Sequence, residues 1–318
     1  MAYEEQAMAD GNDKASAREW TGVTGGSAFG QRAMKILCSL VSVRVGYAIL
    51  VFVIPFYMLF ARKGYNAIYS YFRTRHNYPP MKAFGMTYLN HYRFGQMILD
   101  RFAVYAGQRN FRVDNPDNDL FLQMVNSDKG CIIATAHVGN PELCGYLLSQ
   151  QTKRINSLIF GGEAKEVQKN RSAVLGNNNV RLVPVDADMS HLFVINDALT
   201  NGEMVSMPCD RPFGSAKTAS CTFLGAETNF PIGAFVMASR FDLPVIALFV
   251  LKVSAKLYRI HVIGVPAPTR QQIADNATTG LSTRSAAYAM TRSYAAILEE
   301  IVKKYPEQWF NFYNFWDK

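Results

Sequence analysis

The sequence predicts an α/β fold: a mainly parallel sheet flanked by helices, preceded by an N-terminal membrane-associated helix. Two observations predict it. Beyond about Asp100, short β-branched runs alternate with stretches of helical character, the pattern of strands joined by crossover helices. Ahead of them, Ile36 to Phe60 is apolar with Arg44 as its only charge. The chain divides accordingly into a polar leader (1–35), a membrane-associated helical region (36–99) and an α/β domain (100–318).

The leader contains Thr24-Gly25-Gly26-Ser27 and lacks the basic start, short apolar stretch and small-residue cleavage site of a secretory signal. In the apolar segment, a helix of about 18 residues rises roughly 27 Å, close to the hydrocarbon thickness of a bilayer. Tyr47 and Tyr57 are placed for the interfaces, and Arg62, Lys63, Arg73 and Arg75 favour the cytoplasmic side. Pro55 and Arg44 fit a helix half-immersed in one leaflet as well as a span.

In the α/β region, strands are expected at 131–135, 157–160, 180–185, 204–207 and 244–250, with an added strand at 257–265. Helices are expected at 141–150, 163–176, 190–200 and 231–241, and a closing helix at 283–304. In such sheets the working site lies at the carboxyl ends of the strands.

Composition narrows the function classes. The formal net charge is +8, which suits an anionic membrane face or an acidic carrier protein. No recognition helix, zinc ligand cluster or aromatic RNA motif accompanies it, so nucleic acid is not an expected partner. The five cysteines form no CxxC pair, and Cys131 and Cys144 sit in apolar runs, as buried thiols of a reducing compartment do. No metal site or cofactor motif is evident: G-x-G-x-x-G, the P-loop and the G-x-S-x-G elbow are all missing.

The chemistry concentrates in Ala134-Thr135-Ala136-His137-Val138-Gly139-Asn140-Pro141-Glu142. A strand ends, a histidine follows, and Asn140-Pro141 opens a helix as N-cap and first residue. Glu142 then falls in the first turn, where the helix dipole favours a carboxylate. From there it can reach back to one imidazole nitrogen of His137 and fix the tautomer of a general base. Backbone amides near the helix start would stabilise an oxyanion.

This segment resembles the His-x4-Asp/Glu signature of glycerolipid acyltransferases, and the wider frame resembles the late acyltransferases of lipid A biosynthesis. The apolar segment precedes the domain. Pro208-Cys209-Asp210-Arg211-Pro212-Phe213-Gly214 is similar to the family's Pro-Asp-Gln block. Tyr305-Pro306-Glu307-Gln308-Trp309-Phe310 is similar to its Pro-Glu-Gln-Trp ending. Three departures bear on the acceptor: Cys209 splits the Pro-Asp pair, Arg211 stands where the family usually has an amide, and Phe310-Asn311-Phe312-Tyr313-Asn314-Phe315-Trp316 replaces the usual basic tail.

The resemblance implies a glycerolipid-acyltransferase-like sheet and transfer of a fatty acyl group to a hydroxyl of a lipid A-like or other membrane lipid. It implies acyl carrier protein as donor, with coenzyme A as the alternative, and a bacterial inner-membrane location with the active domain on the cytoplasmic face. His137 and Glu142 are the expected catalytic pair; Asn140, Lys169, Arg171, Asp210 and Arg211 are expected to meet substrate. The carrier-facing charge is expected from Lys165, Lys169, Arg171 and Arg181. Two other readings remain at this point. Asp186-Ala187-Asp188 mimics the metal-binding DxD of a glycosyltransferase, and a non-catalytic lipid-binding scaffold would share the fold.

Overall fold

A computed structural model describes residues 28–108, 111–147, 153–160, 179–185, 190–212, 217–268 and 283–316. The expected helix at 163–176, together with Lys165, Lys169, Arg171, Asp186 and Asp188, lies outside the described residues.

Among the described residues, four helices precede the sheet: α1 (Ala28–Leu40), α2 (Val43–Phe60), α3 (Arg62–Thr74) and α4 (Pro80–Tyr105). The apolar segment is therefore two helices. Ser42 breaks it in extended backbone, its hydroxyl accepting from the Arg44 amide at 3.4 Å. Helix α2 is long and apolar enough to cross a bilayer, with mean hydropathy 2.0 and only 22% of its residues buried. It nevertheless lies antiparallel along α4. Gly46 meets Leu99, Gly95 meets Leu50 and Ile54, and Tyr88 donates to the Val51 carbonyl at 3.2 Å. The outward face carries Phe52, Phe56, Leu59 and Phe60, all exposed. Tyr57 is half exposed, whereas Tyr47 is buried rather than interfacial, its hydroxyl hydrogen-bonded to Asp100. Helix α4 continues through the expected boundary at residue 100.

Among the described residues the domain has nine strands: β1 (Arg112–Asp114), β2 (Cys131–Thr135), β3 (Ile155–Phe160), β4 (Val180–Val185), β5 (Met204–Pro208), β6 (Thr218–Phe223), β7 (Ala226–Pro231), β8 (Val245–Lys252) and β9 (Leu257–Gly264). Seven form one sheet in the order β1-β9-β8-β2-β5-β3-β4, parallel except where β8 meets β9. Every residue of β2 and β8 is buried. Strands covered on both faces read as continuous apolar runs, which is why these two were plain in the sequence. The other helices among the described residues are α5 (Asn118–Val125), α6 (Pro141–Leu147), α7 (His191–Thr200), α8 (Gly233–Phe241) and α9 (Thr283–Lys304).

Strands β6 and β7 form a separate hairpin that the sequence reading did not contain. Its two-residue turn places Leu224 at φ 49° and Gly225 at φ 76°, the backbone that matches the twist of paired strands. The Leu224 amide donates to Glu299 of α9 at 2.6 Å. Past a short 3-10 turn (Pro306–Gln308), the C-terminal segment crosses this hairpin and buries Trp309. That ring sits 5.1 Å from Tyr71 and 5.5 Å from Phe223.

Candidate active site

Strand pairing builds the site. In the parallel register of β2 and β5, Thr135 stands opposite Pro208, and the Cys209 amide donates to the Thr135 carbonyl at 2.8 Å. His137 and Asp210 thus each lie two residues past a paired end, at the carboxyl edge of neighbouring central strands. The Asp210 carboxylate accepts twice from His137, from ring Nδ1 at 2.8 Å and from the backbone amide at 3.0 Å. Asp210 is fully buried, while the His137 side chain remains 32% exposed.

The expected carboxylate at the ring was Glu142; at Nδ1 the structure has Asp210 instead. Glu142 accepts from the Tyr105 hydroxyl at 2.6 Å and pairs with Arg101 Nε at 3.1 Å. Both partners come from the end of α4, so that helix reaches the first turn of α6. Arg101 and Tyr105 were not anticipated, because nothing in their local spacing connects them to residue 142.

The loop carrying His137 is stitched on two sides. The Gly139 amide donates to Gln308 O at 2.8 Å, the Phe310 amide to His137 O at 2.9 Å, and the Asn140 amide to Val250 O at 2.7 Å. Gln308 also brackets β8, accepting from the Lys252 amide at 2.8 Å and donating to its carbonyl at 2.9 Å. Glycine is required at 139: φ is +64°, and a Cβ would stand 2.1 Å from the Val250 oxygen. Since the Gly139 and Asn140 amides donate into the protein, they are not the oxyanion donors anticipated at this helix start.

Other anticipated residues fall as follows. Asn140 is 1% exposed, with its side chain accepting from Arg101 at 3.4 Å. Arg211 is tied into the tail, donating from Nη2 to Phe310 O at 2.6 Å and lying over the Tyr313 ring at 5.2 Å. Arg181 is exposed near the amino end of edge strand β4, so it is not at the carboxyl edge where His137 sits.

Electrostatics sort the pair into base and anchor. Burial pushes the His137 pKa down, the Arg211 and Arg101 guanidiniums add to this, and Asp210 opposes it. The net direction is below the usual imidazole value, so the ring is neutral at neutral pH. Burial alone would raise the Asp210 carboxyl; the His137 ring and amide and Arg211 outweigh it and hold it below the usual range. An ionised carboxylate at Nδ1 assigns the proton to that nitrogen and the basic lone pair to Nε2. A neutral imidazole so held can take a proton from a hydroxyl, and the buried carboxylate stabilises the imidazolium that results.

The family model described as bacterial lipid A biosynthesis acyltransferase matches residues 99–318. A comparison with curated proteins gave no match.

Proposed function

The chain belongs to the bacterial lipid A biosynthesis acyltransferase family, and we propose that it moves a fatty acyl group from acyl carrier protein to a hydroxyl of a lipid A-like glycolipid. The family makes it an acyltransferase and implies a lipid acceptor and an acyl donor. The observation that carries the mechanism is the His137–Asp210 pair, a neutral base on a buried carboxylate at the edge of the central strands.

In this reading His137 Nε2 removes the acceptor hydroxyl proton as the oxygen attacks the thioester carbonyl. The tetrahedral intermediate collapses with cleavage of the C–S bond, and the imidazolium returns the proton to the departing thiolate. The acyl group passes directly to the acceptor, and the sequence requires neither metal nor cofactor. Asp210 keeps the ring in the productive tautomer. Glu142, clasped by Arg101 and Tyr105, fixes α6 beside the ring and is the second carboxylate of the site.

The exposed apolar face of α2 supports membrane association. Because α2 lies along α4, which is packed on the catalytic domain, we favour a helix half-immersed in one leaflet over a span. A cytoplasmic face of the inner membrane would give such an enzyme access to its carrier protein.

The test presents one acyl chain on acyl carrier protein and on coenzyme A, with the same lipid A-like acceptor and membrane-embedded enzyme. Faster transfer from the carrier is expected, weakening as salt rises from roughly 50 to 500 mM and the Debye length shrinks below about 5 Å. Equal or better transfer from the coenzyme A thioester overturns the donor assignment. No acylated glycolipid from either donor overturns the reading altogether.

A further inference from the structure

The positive charge of the chain is concentrated in one element. Residues 28–99, which form α1 to α3 and most of α4, hold nine of the 33 Lys and Arg and none of the 25 Asp and Glu. The remaining 24 cations are outnumbered by the acids, so the net charge of +8 resides entirely in this helical region. The same helices carry most of the exposed large apolar side chains among the described residues. On α2, Val45, Ile49, Phe52, Phe56 and Phe60 recur at three- and four-residue intervals and so share one outward face. Phe60 is 85% exposed, and Met81 and Phe84 are exposed on the first turns of α4.

The placing of the cations decides how such a face meets a bilayer. Arg44 is exposed at the start of α2, and Arg62 and Lys63 are exposed just past its end. Lys35 on α1 and Lys82, beside Met81, are exposed as well. The 18 residues of α2 rise about 27 Å. Standing across a bilayer, the helix would put a cationic end on each side, against the bias that gathers Lys and Arg on one. Lying in one leaflet, it sets both ends at the level of the lipid phosphates while its aromatic row enters the acyl region. An acidic protein offers carboxylates to the cations but no hydrocarbon to the phenylalanines between them.

This element is fixed to the catalytic edge. Tyr47, on the buried side of α2, bonds to Asp100 of α4 and to Lys252 at the end of β8. Strand β8 runs parallel to β2, and His137 follows β2, so α2 is anchored at the carboxyl edge that bears the base.

We infer that α1 to α3, with the first turns of α4, form a docking platform for anionic phospholipid headgroups, lying flat in one leaflet and holding the base-bearing edge of the sheet to it. The inference rests on the membrane association proposed above and adds the lipid chemistry that selects the bilayer.

Flotation of the full chain with preformed vesicles tests it, using phosphatidylcholine alone or mixed with phosphatidylglycerol. Each cation close to an anionic surface contributes roughly fivefold in affinity. The mixed vesicles should therefore bind about 10²-fold more tightly, an advantage that shrinks as salt rises. The triple variant Arg44→Gln, Arg62→Gln, Lys63→Gln should lose the preference yet still bind neutral vesicles through its apolar face, with unchanged circular dichroism. The five native cysteines are buried, so an impermeant maleimide added outside mixed vesicles reports on introduced thiols. It should label Arg44→Cys and Lys63→Cys equally. Equal binding to both vesicles, a preference unchanged in the triple variant, or labelling at one end only overturns the inference. Binding of acyl carrier protein to the enzyme on neutral vesicles, lost in the triple variant, would give the surface to the carrier and overturn it too. Acyl transfer without a lipid preference would sink the platform alone, and a lipid preference without transfer from either donor would sink the proposed reaction alone.

Discussion

Asp100 and Asp210 are both fully buried carboxylates holding a basic side chain, and the two clusters around them are built for opposite ends. Around Asp100 everything is closed. Lys252 Nζ reaches it at 2.6 Å, Tyr47 and Tyr258 donate to it, and Lys252 also bonds the Tyr47 hydroxyl at 2.9 Å and Ala255 O at 3.1 Å. Burial pushes the Asp100 pKa up and the Lys252 pKa down, and each resists the shift in the other. Lys252 itself is only 4% exposed. Around Asp210 the carboxylate is equally dry, but its partner is an imidazole with a third of its surface open. A buried ion pair joins helices to a strand; a buried anion behind an accessible base can do proton chemistry.

The largest effect that would break this contrast is on turnover. His137→Ala should lower acyl transfer by about 10³-fold in a folded protein, within the range general-base assistance supplies. Near-normal transfer by a folded variant would show that the open cluster is not catalytic. Asp210→Asn should cost about 10²-fold and is more telling through pH. His137 sits below the usual imidazole value, so the acid limb of kcat/KM should lie below about 6.5. Removing a group that raises it moves that limb further down, and an acid limb that rises in the variant would contradict the assigned contact. Asp210 has a folded pKa below its unfolded one. Its contribution to stability is thus complete above about 3.9 and lost as pH falls through the depressed value.

The closed cluster should respond in stability instead. Lys252→Met leaves a carboxylate buried without its counter-charge and should cost about 3–5 kcal/mol in thermal or denaturant unfolding. The double variant Asp100→Asn, Lys252→Met should recover much of that loss. A single variant that unfolds normally but loses turnover would erase the distinction between the clusters. The smallest effect is expected for Tyr47→Phe, about 2 kcal/mol from one hydroxyl bonded to a charged partner, with turnover per folded molecule unchanged.

The sequence carried the sheet well and the site only in outline. Strands β2 and β8 announced themselves because burial on both faces demands an apolar run, and α9 was read with its observed limits, Thr283–Lys304. The β6–β7 hairpin escaped because one of its faces is solvated. Thr218-Ala219-Ser220-Cys221-Thr222-Phe223 alternates small polar with apolar residues of which only Phe223 is large, a weak period-2 signal. His137 was legible from its place after a buried strand. Its tie to Asp210 was not, since 73 residues separate the two and only the β2–β5 register brings them together. Glu142 was attractive as the partner because a spacing of five is visible in a linear chain, whereas a neighbouring strand is not. Arg101 and Tyr105 were hidden in a helix whose apolar pattern marks packing, with no sign of which loop it packs against.

The Gln308 stitch has a bearing on biosynthesis. The loop that presents His137 is held in register by Gln308 and Phe310, which the ribosome delivers about 170 residues later, an interval of roughly 10–30 s at ordinary elongation rates. Helices α1 and α2, with their exposed apolar face, emerge long before. A growing chain that settled on a bilayer would do so with its base not yet positioned, because the loop is completed only once Gln308 and Phe310 have left the ribosome.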